Sequence, residues 1–154
     1  MHRFGRRQFV ALSALLAQAF HPARAVGPPL TAADAATTSS TTTAPQRRWF
    51  EAARAMRQLA ESWGDQPYGA VLVLGDQQVG NGPSRVVQRG DVTAHAEREA
   101  IRDAQRRLNQ SVLVGSILYS TSRPCAQCEA AAAAAGVSRM YFGERLQDGG
   151  VPRP

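Results

Sequence analysis

Between Ser116 and Gly143 the chain reads SILYST, RPCAQCEAAAAAAG and SRMYFG: an apolar run, an alanine-rich segment and a second apolar run. Two strands joined by a helix have to lie parallel, because only a crossover long enough to hold a helix returns the chain to the same end of a sheet. A parallel pair also needs helices over its faces. This one unit commits the chain to a layered α/β arrangement. The preceding residues extend the pattern. RRWFEAARAMRQLAESW (47–63) sets Phe50, Ala53, Met56, Arg57 and Ala60 at helical spacing. YGAVLVLGDQQVGNGPSRVV reads as a strand pair, with an apolar run from Ala70 to Leu74, a turn at Gly75-Asp76 and a second extended stretch ending at Val86-Val87. A second helix is expected over Thr93 to Leu108. Pro124 suits the opening turn of the third, which Gly136 stops. Helix, two strands, helix, strand, helix, strand predicts a three-layer α-β-α sandwich around a mixed sheet.

The first third of the chain contributes nothing to that core. Residues 1–25, MHRFGRRQFVALSALLAQAFHPARA, combine a basic start, an apolar run of 11 residues from Val10 to Phe20 and a small-x-small ending. That is the build of an export signal, and Arg6-Arg7 points to the twin-arginine route, hence a periplasmic or secreted protein. An arginine-rich mitochondrial transit peptide is the rival reading. The apolar run is too short for a membrane span of ~20 residues. Residues 26–46, rich in Thr, Ser, Ala and Pro, cannot bury enough surface to offset their ordering entropy and read as a linker. A folded domain over 47–146 and a tail over 147–154 remain. Removing the export segment takes four of the 18 basic residues and no acid, leaving 14 against 12, a net charge of +2. A balance that small gives little ground for nucleic-acid binding.

Chemistry concentrates in two short stretches. On the second helix Glu97, Ile101, Ala104 and Leu108 fall on one inward stripe, a costly place for a carboxylate without compensation. Ala94 occupies the position where a capping box needs Ser or Thr, although Thr93 could cap the helix instead. Glu99 reads as a solvated charge. Cys125 and Cys128 share a face of the third helix's first turn, where the helix dipole favours thiolates. Two thiolates and the His95 imidazole would make a three-ligand zinc site with an open fourth position. His95 and Glu97 would lie ~200° apart within a helix, from 3.6 residues per turn. Only at the helix tip can both lean toward one ion, so two helix N-termini must meet there. Two other readings of these cysteines stay open: a structural disulfide and a thioredoxin-like redox pair.

HAE at 95–97 followed by PCAQC at 124–128 is the H-x-E and P-C-x-x-C signature of zinc-dependent nucleobase deaminases. With PYGAVLV, DVTAHAEREAIRDA and YSTSRPCAQCEAAAAAAGVSRMYFG, the chain resembles the cytidine and deoxycytidylate deaminase superfamily, in the branch holding guanine deaminases and tRNA adenosine deaminases. The resemblance runs from about Arg47 to Gly143. It implies a cytidine deaminase-like fold, zinc held by His95, Cys125 and Cys128, Glu97 as the proton shuttle, and the Ala96 amide on the base. The implied reaction is hydrolytic loss of the exocyclic amine of a nucleobase or nucleoside, with release of ammonia.

Departures from the family pattern set further expectations. Where many members read histidine-asparagine-arginine, with the asparagine touching the base, this chain reads Pro83-Ser84-Arg85. Ser84 is then the substrate-binding position, with a shorter reach and without an amide's paired donor and acceptor. Gln127 stands for a commonly apolar residue and Arg123 for a frequently acidic one. The chain stops at Pro154, soon after the fourth expected strand, where relatives continue. From that truncation we expect a small-molecule substrate in preference to nucleic acid, and a homodimer that covers the open sheet edge. The altered base contact also leaves a catalytically idle, zinc-stabilised interaction module as an alternative.

Overall fold

A computed structural model describes residues 43–154; the expected export segment and the linker up to residue 42 lie outside them. The elements are α1 (Ala44–Ser62), β1 (Gly69–Leu74), β2 (Gln77–Pro83), α2 (Val86–Arg89), α3 (Ala96–Leu108), β3 (Ser116–Ser120), α4 (Ala126–Ala134), β4 (Arg139–Phe142) and β5 (Gln147–Gly150). They form one mixed sheet in the order β2-β1-β3-β4-β5. The β3 and β4 pairing is parallel, as the α4 crossover requires, and the other pairings are antiparallel.

Alternation along the strands divides the core in two. Ala70, Leu72, Leu118 and Met140 face α3 and α4, whereas Val71, Val73 and Tyr119 face α1 with its Trp49, Phe50 and Ala53. The α-β-α sandwich is therefore present. Among the described residues no helix is long and apolar enough to cross a membrane.

Three elements depart from the sequence reading. The first helix begins at Ala44, three residues early, inside the expected linker. Thr43 is its N-cap, the Thr43 amide donates to Gln46 Oε1 at 3.0 Å, and Pro45 sits in the first turn where a missing N–H costs nothing. Val86 and Val87 belong to the single turn α2, not to a strand. Pro83 ends β2, and Gly90 closes the turn in the left-handed region at φ 60°. The expected tail 147–154 carries β5, paired antiparallel to β4 and joined to it by the cross-strand ion pair of Arg139 with Asp148.

The seating of α3 on the sheet fixes where His95 and Glu97 fall. A Cβ on Gly82 would lie 2.0 Å from the Ala96 carbonyl oxygen and 2.6 Å from the Ala100 nitrogen. Backbone meets backbone there, which lets the first turn of α3 sit directly on β2. Gly82→Ala is expected to cost about 3 kcal/mol, the upper part of the overpacking range, since backbone cannot rotate away as a side chain can. Urea denaturation of the two proteins measures it; a loss under about 1 kcal/mol would show that α3 can shift freely.

Candidate metal centre and active site

His95 and Cys125 occupy equivalent places, each the N-cap of its helix, with extended backbone (ψ 153° and 165°) and no side-chain capping bond. Neither side chain is engaged by its own helix, so both can reach past the helix ends. The β2 contact fixes the start of α3, and the β3 to α4 connection brings the start of α4 to the same point. His95 Nδ1 lies 3.7 Å from Cys125 Sγ and 3.4 Å from Cys128 Sγ. The three ligand atoms lie within 4.8 Å of one another. Because His95 precedes the first helical residue, the ~200° separation of a helix interior does not apply to it and Glu97.

Cys128, at the third residue of α4, is fully buried, while Cys125 is exposed. A helix-end position predicts a lowered thiol pKa, but at Cys128 burial overrides it. Burial first, then the Glu97 carboxylate and Cys125, push this thiol well above its usual range. A thiol in that setting keeps its proton unless a cation takes the proton's place. Two sulfurs and one imidazole nitrogen converging from two helix ends form a donor set that suits zinc. The cysteines are free and form no disulfide with each other.

Glu97, 4% exposed, is the second residue of α3, and its Oε1 accepts a 2.7 Å hydrogen bond from Ser120 Oγ at the end of β3. That bond is the compensation a carboxylate on the apolar stripe requires. His95, Ala96, Glu97 and Cys125 line a cavity of about 230 Å³, walled on another side by Gln66 and Tyr68. Ser122 and Arg123, from the loop after β3, complete its rim. Ala96 is the first residue of α3, so its amide has no acceptor within the helix and is available to a ligand.

Two expectations fail here. Ser84 does not line this cavity: it is fully buried and its hydroxyl donates to Asp65 Oδ1 at 2.8 Å. Glu99 is not solvated. It is 2% exposed and paired with Arg89 at 3.0 Å and Arg102 at 2.9 Å, with Arg85 at 3.8 Å. Arg102 at i+3 was the local signal for that pairing; the contribution of α2 was not visible before α2 itself. Asp65 and Gln66 escaped the sequence reading because they belong to the connection between α1 and β1, just before the PYGAVLV stretch, and Tyr68 was read only as part of that stretch.

Similarity to known proteins agrees with this geometry. The tRNA-specific adenosine deaminase of Buchnera aphidicola subsp. Schizaphis graminum is 36% identical over 100 residues, covering 65% of this chain and 66% of the relative. A solved tRNA:A34 deaminase, from work on A-to-I editing at the wobble position of transfer RNA, superposes with a TM-score of 0.60 and 38% identity over 62% of this chain and 70% of its own. Guanine deaminase from Bacillus subtilis gives a TM-score of 0.60 and 30% identity over 62% of each chain. The chain spans about half to two thirds of the length of the curated tRNA-specific adenosine deaminases it matches. The family model for the cytidine and deoxycytidylate deaminase zinc-binding region matches residues 43–144, and the chain belongs to that family.

Proposed function

We propose that this protein is a zinc-dependent hydrolytic deaminase that removes the exocyclic amine of a free nucleobase or nucleoside. One observation carries this reading: a buried carboxylate, Glu97, held by Ser120 and lining the same cavity as His95 and Cys125. A thiol redox pair has no use for that imidazole and carboxylate. His95 Nδ1, Cys125 Sγ and Cys128 Sγ would hold the metal. Bound zinc would supply Lewis-acid chemistry near neutral pH.

The chain's own groups do the rest. Ala96 N–H binds an edge of the base, and Tyr68 offers a ring beside it. Glu97 carries one proton of the attacking water to the ring nitrogen and then the second, from the hydroxyl left on the ring carbon, to the departing amine. Water enters, ammonia leaves, and the ring keeps an oxo group. A cavity of about 230 Å³ is smaller than the ~300–1,000 Å³ usual for larger ligands, which favours a single ring system in the pocket.

The relatives that act on transfer RNA favour a second reading, a base presented on a strand. Ammonia release from guanine, adenine, cytosine and their nucleosides, beside inosine formation in transfer RNA, tests both. Turnover of at least one free base or nucleoside is expected. Inosine in transfer RNA with no free base consumed would assign the second reading. Silence throughout at one zinc per chain would reject catalysis and leave the idle zinc module. Export by Arg6-Arg7 remains part of the proposal on sequence grounds, as does the homodimer; the edge strands β2 and β5 are the surfaces a second copy could cover.

A further inference from the structure

The residue at the expected base-contact position is buried and does not line the cavity, and a different one does. Ser84 bonds Asp65, and Asp65 is itself buried. Its carboxylate accepts two more hydrogen bonds, from the Gln66 amide and from the Gln88 amide of α2, each at 2.8 Å. Burial raises the Asp65 pKa, but these hydrogen bonds outweigh burial and hold it below the usual carboxylate range. One ionised group thus ties together the end of β2, the turn α2 and the segment leading from α1 to β1.

Gln66 is the residue that this knot delivers to the cavity wall. Its backbone is held on both sides, by Asp65 at the amide and by Tyr68, whose N–H donates to the Gln66 carbonyl at 2.7 Å. Its half-buried side chain makes no hydrogen bond to any other described residue. A carboxamide carries an acceptor and two donors side by side, the pattern that reads the edge of a heteroaromatic base. Ser84 could not offer that pattern even if it were exposed.

We propose that Gln66 is the base-reading residue of this site, its side-chain amide pairing with the edge of the base away from the reacting amine, and that Asp65 positions it. This role rests on the deaminase reading above. Sites built to hydrogen-bond a ligand discriminate strongly against analogues lacking the partner group. Gln66 should therefore govern the ranking of substrates as well as the rate.

The zinc-loaded full chain is compared with Gln66→Met and Gln66→Glu on guanine, adenine, cytosine and their nucleosides. Methionine keeps the length of glutamine without its donors, and glutamate keeps acceptors alone. We expect Gln66→Met to lose at least tenfold in kcat/KM on the preferred base and at least tenfold in its preference over the next one. Zinc content and Tm should match the wild type, and Gln66→Glu should reorder the panel. Uniform loss on every substrate, or no loss, overturns the role, because packing damage alone would not change the ranking. Should the wild type turn over none of these bases, the free-base reading fails by itself. Equilibrium dialysis of the same bases against the zinc-loaded proteins then decides for Gln66. At least tenfold weaker binding by Gln66→Met upholds it as a base reader, and equal binding, or none by the wild type, overturns it.

Discussion

Glu97→Gln is expected to lower kcat by about 10²–10⁴-fold, the contribution typical of a positioned proton carrier, on whichever base the wild type accepts. The substitution isolates the proton. Glutamine has nearly the same shape, and its amide oxygen can still accept the Ser120 hydroxyl that holds Glu97 Oε1 at 2.7 Å. It cannot take up a proton near neutral pH. Zinc content should be unchanged, since the ligand atoms belong to His95, Cys125 and Cys128. Removing a negative charge beside Cys128 also relieves one of the causes that raise its thiol pKa. Ammonia release, zinc per chain and Tm are measured together. A fall in kcat below tenfold with zinc intact would remove Glu97 from proton transfer. A fall accompanied by zinc loss would recast it as a group that supports the metal ligands.

The sequence made this residue visible for a physical reason. A carboxylate on the apolar stripe of a helix is expensive, and few arrangements repay it. Three groups that favour the same cation, set at two helix starts, leave equally few. Motif spacing and the family resemblance therefore singled out His95, Glu97, Cys125 and Cys128 as candidates before any coordinate, and the fold brings the His95, Cys125 and Cys128 ligand atoms together. The cavity wall was another matter. Whether Ser84 or Gln66 lines the cavity depends on how the connection between α1 and β1 meets the end of β2, where Asp65 makes three hydrogen bonds. No local pattern encodes that junction.

The same division runs through the fold. Strands made of continuous apolar runs were legible, and so was the parallel pair forced by α4. Strand β5, Gln-Asp-Gly-Gly, has almost no intrinsic strand preference and exists because β4 offers it a ladder. Glu99 looked like a surface charge because its arginine partners Arg85 and Arg89 flank a turn whose two valines had argued for a strand. Long-range pairing supplied what propensity could not.

Stripping the metal is expected to have the largest effect on stability. A ligand that binds the native state alone adds about 4 kcal/mol when present at ~1,000 times its dissociation constant. In a domain of about 100 residues that corresponds to a Tm shift on the order of 15–30 °C. The ligand residues lie where α3 and α4 begin, so loss of the ion leaves two helix starts facing each other with a buried thiol between them. Chelator should therefore lower the Tm of the wild type by that order. Cys128→Ser should begin near the chelated value and respond no further. Cys128 is fully buried, so its replacement also perturbs packing. Cys125→Ser, at an exposed position, is the cleaner companion and should show the same indifference to chelator. A wild type that ignores chelator but shifts on reduction would point to a dithiol protein instead, because a disulfide reports to reductant and a zinc centre to competing ligands.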